Sequence, residues 1–288
     1  MNQFASGPKR NYYGKGDVIV YRLHRTGIPP GEQVSPFFGA NVKLLIYGDA
    51  FWPTYTTGDN TGLVATDSMK NFIQRETLNF PGADLESYCH FLAEKFLATY
   101  PQAEGAQVSA TEIPYDTLRE SAVSFTPSGP DRAGAQVELR RENGALRAVE
   151  IRSSVTGFKL LRLGGSAFYG FVRDEYTTLP DVKNRPLHMW LDLDWTYTSP
   201  AAAFTSGAVT AQARQVVHRA FDEFESGSIQ QIIYLIGTKL LSEIAAISEI
   251  MLEANNRTWD TIVEQGEEIG VYTDPRPPYG CLGLTLRR

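Results

Sequence analysis

The chain has 288 residues, with 27 Lys and Arg against 33 Asp and Glu for a formal net charge of -6. That length builds one large domain or two ordinary ones without staples, and an acidic balance with no dense Lys/Arg run excludes a nucleic-acid footprint. Cys89 and Cys281 lie far from any Cys-x-x-Cys spacing, which excludes a disulfide framework or structural zinc site and predicts two small buried apolar residues.

The opening MNQFASGPKRNYYGKG lacks the apolar core of a signal peptide, and no stretch reaches the length of a membrane span. The closing TLRR carries no lipidation or Ser-Lys-Leu address. A cytoplasmic protein with no membrane partner is expected.

In chain order, residues 17–25 alternate around Val18, Val20, Tyr21 and Leu23, and residues 41–47 around Val42, Leu44 and Ile46. With Pro29 to Gly31 between them they read as an antiparallel strand pair. A helix follows Thr66, and a second starts at Asp84 with Leu85, Tyr88, Leu92 and Phe96 on one face. Strands at 106–113 and 136–141 close the first half, and Asn143-Gly144 is the strongest hairpin signal in the chain.

From Ala145 the order repeats. Residues 149–163 and 187–197 form the strand pair, 210–224 and 229–244 the helices, and 250–263 and 282–286 the closing strands. The fold class is therefore α+β, with domains at 1–143 and 144–288, each an antiparallel four-stranded sheet with two helices on one face. The sheet edges favour pairing between domains and between copies of the chain.

Four stretches are candidates for chemistry. VATDSMKN at 64–71 places Thr66 and Asp67 where a helix leaves backbone N–H groups unpaired, which suits either an N-cap or a ligand contact. SAFYGFVRDEYTTL at 166–179 reads as a core strand running into a polar loop, with Asp174 and Glu175 available for acid/base work, solvation or pairing with Arg173. In SGSIQQIIY at 226–234, Ser228 suits an N-cap and Gln230 a first-turn amide beside the positive end of the helix dipole. LHMWLDLDWTY at 187–197 offers His188, Asp192 and Asp194 as metal ligands, but alternation explains them better, placing His188, Trp190, Asp192 and Asp194 on one strand face. No metal is expected, since a second His and an outer shell are missing. No Ser/His/Asp order, Gly-x-Gly-x-x-Gly or phosphate loop appears, so a nucleotide cofactor is not expected either.

Taken together, YGKGDV at 13–18, VATDSMKN at 64–71, FYGFVRDEYTTL at 168–179, SIQ at 228–230 and NNRTWD at 255–260 resemble urate oxidase of the bacillus type, from about Tyr13 to Tyr279. The resemblance implies two tandem tunnelling-fold (T-fold) domains, a homotetramer, and active sites shared between subunits. It implies oxidation of urate by dioxygen to 5-hydroxyisourate and hydrogen peroxide, with no cofactor and no metal. Phe168 would stack on the purine; Arg185 would hold one edge as a two-pronged donor; Gln230 and the Ile229 backbone would hold the opposite edge. Thr66 and the Asp67 backbone of a neighbouring subunit would meet the imidazole side, Lys15 would act as base through Thr66, and Asn255 would seat dioxygen. Arg257 takes the catalytic place where the fungal and animal pattern has a His, and Arg does not shuttle protons near neutral pH. Two alternatives stay open: a pterin or deazapurine enzyme of the same fold, and a purine-binding protein without turnover.

Overall fold

A computed structural model describes residues 11–25, 36–119, 121, 123–205, 207–266 and 268–288. The Pro29 to Gly31 turn lies outside the described residues. The chain divides into two compact units, Met1–Ser153 with Pro200–Gly207, and Ser154–Ser199 with Ala208–Arg288.

In the first unit, β1 (Tyr13–Leu23) and β2 (Phe37–Tyr47) are followed by helices α1 (Trp52–Thr56), α2 (Thr66–Glu76) and α3 (Leu85–Thr99). Strand β3 (Gly105–Glu112), the small hairpin β4 (Tyr115–Thr117) and β5 (Phe125–Pro127), and β6 (Arg132–Glu142) complete it. The sheet order is β1-β2-β3-β6, antiparallel at each step. Alternation drives the packing: Val42, Leu44 and Ile46 point inward with Val108, Val137 and Leu139, against Tyr88, Leu92 and Phe96 of α3. α3 lies on β3 and β6, and α2 on β1. The short helix α4 (Pro200–Ala203) belongs to this unit, where Phe204 meets the His90 ring edge-on at 5.0 Å.

Asn143 and Gly144 take φ of 50° and 81°, the two left-handed positions of a tight hairpin turn. They connect β6 to β7 (Ala145–Phe168), a 24-residue strand. The expected boundary at 143/144 is thus a turn between neighbouring strands, and the units change over inside β7, between Ser153 and Ser154.

The second unit adds β8 (Val182–Tyr197), α5 (Ala208–Glu223), α6 (Ile229–Glu243), β9 (Ile247–Thr258), the hairpin β10 (Thr261–Gln265) and β11 (Ile269–Tyr272), and β12 (Arg276–Arg287). Its sheet order is β7-β8-β9-β12. Leu187, Met189, Leu191, Leu193 and Trp195 alternate into a core with Ile232, Ile233, Ile236 and Leu240 of α6. The opposite face, with His188, Trp190, Asp192 and Asp194, is only partly covered. Both halves repeat strand, strand, helix, helix, strand, strand, as the sequence pattern predicts.

Two expectations need correction. The strand expected at 250–263 stops at Thr258, and Thr261 starts a separate hairpin. Cys89 is buried as expected, but Cys281 is exposed on β12 with its thiol directed at Glu253; every second β12 side chain faces away from α6, and Cys281 is one of these. Of the alternatives open for Asp174 and Glu175, both are exposed, while Arg173 pairs with Asp181 and Asp174 closes a local turn with Thr177. Among the described residues, no helix is long and apolar enough to cross a membrane, and no three His, Cys, Asp or Glu side chains group as metal ligands.

Candidate active site

The first unit gathers Lys15, Thr66 and Asp67. Strand β1 has a bulge between Lys15 and Val18, the device by which a strand re-aims one side chain. Gly14 is obligatory there, because a Cβ would sit 1.9 Å from the Leu44 carbonyl oxygen. Asp17 takes a positive φ of 54° and accepts a hydrogen bond from the Asn41 amide at 3.2 Å. Two residues before Lys15, the Tyr13 hydroxyl accepts from the Val64 backbone N–H at 2.9 Å, and Val64 lies two residues before Thr66. This tie brings the bulge to the start of α2.

Thr66 is not the N-cap. Ala65 holds that position, with no side-chain capping bond, and Thr66 and Asp67 are the first two helical residues, both exposed. The Asp67 carboxylate accepts from the Lys70 ammonium at 2.6 Å and from the Asn71 amide at 2.9 Å. Lys70 foremost, with a smaller contribution from the Lys15 charge, holds that carboxyl below the usual range. The Thr66 hydroxyl and the first N–H groups of α2 remain at a positive helix end.

The second unit gathers Phe168, Arg185, Ile229 and Gln230. The end of β7 is laced to the segment before α6: Ala167 N–H donates to the Ser226 carbonyl at 2.8 Å, and Ser226 N–H to the Gly165 carbonyl at 3.0 Å. Arg162 locks the same corner by donating to the carbonyls of Phe221, Phe224 and Gly164. Gly165 N–H donates to the Asn184 side chain at 2.8 Å, next to Arg185. As a result the Arg185 guanidinium carbon lies 5.8 Å from the Phe168 ring centre. Phe168 also stacks on Phe171 at 4.9 Å and 14°.

Arg185 is half-buried, its Nε has no partner among the described residues, and burial pushes its pKa down. An unpaired, desolvated guanidinium is costly unless an anion meets it. Ser228 caps α6, accepting from Gln231 N–H at 3.2 Å, as predicted. Ile229 is buried and Gln230 exposed in the first turn, so their N–H groups and the Gln230 amide face outward at a second positive helix end.

Asn255 and Arg257 lie on β9, facing away from α6. The register sets Trp190 opposite Asn255 and His188 opposite Arg257. The Arg257 guanidinium is sandwiched, 4.0 Å from the Trp190 ring centre and 4.1 Å from that of Tyr279. The sequence reading passed over Trp190 and Tyr279 as site residues; alternation put Trp190 on the right face, but β8 and β12 meet Arg257 only through pairing with β9.

The family model for Uricase matches residues 11–138 and 151–281. The chain belongs to the uricase family. Among uricase relatives, the uricase of Haloferax volcanii is 36% identical over 96% of this chain and 97% of its own length. The uric acid degradation bifunctional protein of Bacillus subtilis is 34% identical over 96% of this chain. The chain spans 60% of the length of that protein and of its Bacillus sp. TB-90 counterpart. Among solved structures, a uricase from Bacillus fastidious superposes with a TM-score of 0.88 at 34% identity, covering 96% of this chain and 93% of that one. The urate oxidase of Bacillus sp. TB-90 gives 0.87 at 36% identity, covering 96% and 100%.

Proposed function

We propose that this chain oxidises urate with dioxygen and water to 5-hydroxyisourate and hydrogen peroxide. The observation that carries the reading is the placement of Arg185, desolvated and unpaired, beside the Phe168 ring and the capped start of the helix that bears Gln230. A planar, amide-edged anion satisfies all three at once: the ring stacks, the guanidinium supplies fixed charge in a two-pronged geometry, and the Gln amide offers a donor and an acceptor.

Two electrons leave the deprotonated purine for dioxygen and water adds to the ring, so the reaction needs no flavin or metal to balance. The protein's share is to hold the ring, accept a proton and seat oxygen. In this reading Lys15 accepts the proton through the Thr66 hydroxyl, the Asp67 N–H steadies the imidazole edge, and Asn255 holds oxygen above the ring.

Lys15, Thr66 and Asp67 belong to one unit and Phe168, Arg185, Ile229, Gln230, Asn255 and Arg257 to the other. This division supports a homotetramer of T-fold domains in which each site is completed by a neighbouring copy, and a cytoplasmic location is part of the same proposal. The test is aerobic loss of the urate ultraviolet band by purified protein in excess chelator, with peroxide followed in parallel. About one peroxide per urate is the expected result, from two-electron reduction of dioxygen. Urate that binds but persists would overturn the reading in favour of a purine-binding protein.

A further inference from the structure

The face of β8 and β9 away from α6 carries an ordered square of side chains. Trp190 faces Asn255 and His188 faces Arg257 across the antiparallel pair, positions whose Cβ atoms lie about 4.5–5.5 Å apart. Arg257 leans diagonally onto Trp190 and is covered by Tyr279. The Lys159 ammonium sits 4.9 Å from the centre of the same Trp190 ring. His188 is held in plane by a ladder of rings: it stacks on Trp259 at 6.1 Å, and Trp259 on Tyr272 at 4.9 Å.

Three nitrogens in this square are buried without a hydrogen-bond partner among the described residues, His188 Nδ1, Trp190 Nε1 and Arg257 Nε. The first can accept and the other two must donate. Of the four histidines, His90 packs on Phe204, His218 on Phe158, and His24 follows β1. His188 alone is the cross-strand partner of Arg257. Burial chiefly disfavours the imidazolium; the Lys159 and Arg257 charges act in the same direction and Asp274 opposes them. At neutral pH the ring is therefore an uncharged acceptor.

We propose that His188 is a positioning residue for the oxidation: the neutral imidazole keeps Arg257 seated between Trp190 and Tyr279 beside Asn255, and an imidazolium there drives the guanidinium out of its slot. Like charges at cross-strand distance in a partly buried setting repel more strongly than one ring contact attracts. The inference rests on the urate-oxidation reading and adds the group that sets its acid limit.

The test is kcat and KM for urate across pH for the wild-type protein, His188→Gln and His188→Phe. Wild-type kcat is expected to fall about tenfold on the acid side, below the ordinary histidine value of about 6.5. His188→Gln, uncharged at every pH, is expected to turn over several-fold more slowly at alkaline pH and to lose the acid limb, with KM little changed. His188→Phe keeps the ring ladder and is expected to lose the limb as well, which covers a Gln variant that fails to fold. An acid limb unchanged in either folded variant would overturn the inference while leaving the oxidation intact. Wild-type protein that consumes no urate at any pH would instead remove the oxidation reading, and this inference with it.

Discussion

The Arg257 guanidinium carbon lies 4.0 Å from the centre of the Trp190 ring, close enough for the planar cation to stack on the indole. A lysine keeps the charge but has no plane to lay between two rings. Each stacking contact is worth about 0.5–2 kcal/mol, so Arg257→Lys is expected to lower kcat about tenfold and leave KM for urate within about twofold, by steady-state kinetics. A rise in KM at constant kcat would instead make Arg257 a purine-binding group.

Thr66 makes no capping bond, so its hydroxyl is available for chemistry at little structural cost. Thr66→Ala is expected to lower kcat by about a hundredfold, in the range of general acid-base contributions, while unfolding stability stays within about 0.5 kcal/mol of wild type. Parallel denaturant melts and urate kinetics separate the two. A large loss of stability at unchanged kcat would make Thr66 a packing residue.

Arg185→Lys replaces a half-buried fork with a point charge. Urate affinity is expected to fall ten- to a hundredfold, equivalent to about 1.4–2.8 kcal/mol, as read by anaerobic titration. Unchanged affinity would take Arg185 out of the site.

Ser228→Ala removes the acceptor for Gln231 N–H at the start of α6. About 1 kcal/mol of stability should be lost, and because the same turn presents Gln230, urate binding should weaken together with the melting temperature. Lost stability with wild-type binding would uncouple the cap from the ligand edge.

His188 takes up a proton less readily in the folded protein than in the unfolded chain, because folding buries it. Between its folded value and the ordinary value of about 6.5 the unfolded state binds more protons, so stability falls as pH drops through that window and is unaffected above it. Denaturant midpoints measured at about pH 7.5 and about pH 5.5 should draw closer together in His188→Gln than in wild type.

Much of this architecture is legible in the sequence. The run Leu187, Met189, Leu191, Leu193 has period two and can only be a strand with one core face, and Asn143-Gly144 has the residue types that accept two positive φ values. Ser228 announces its cap. The start of β1 is hidden because the bulge at Gly14 to Asp17 breaks the alternation on which strand detection depends, so the pattern starts at Asp17 while the strand begins at Tyr13. Thr66 has the composition of a cap, yet the helix begins one residue earlier than a cap at that position allows. The sandwich of Trp190, Arg257 and Tyr279 needs the register of three strands far apart in the chain, which no local pattern carries.

The segment Pro200–Gly207 leaves the second half of the chain to join the first unit and then returns. No single proteolytic nick or gene break therefore yields both units whole: a fragment ending at Ser153 lacks a piece of its own body, and one starting at Ser154 carries that piece without the α3 surface on which Phe204 rests. Had two copies of an ancestral module simply been joined end to end, each would be separable at the seam. Here the first module takes a segment from within the second half of the chain, so a split version of this protein would need its cuts on both sides of Pro200–Gly207, with the excised peptide supplied in trans to the N-terminal piece.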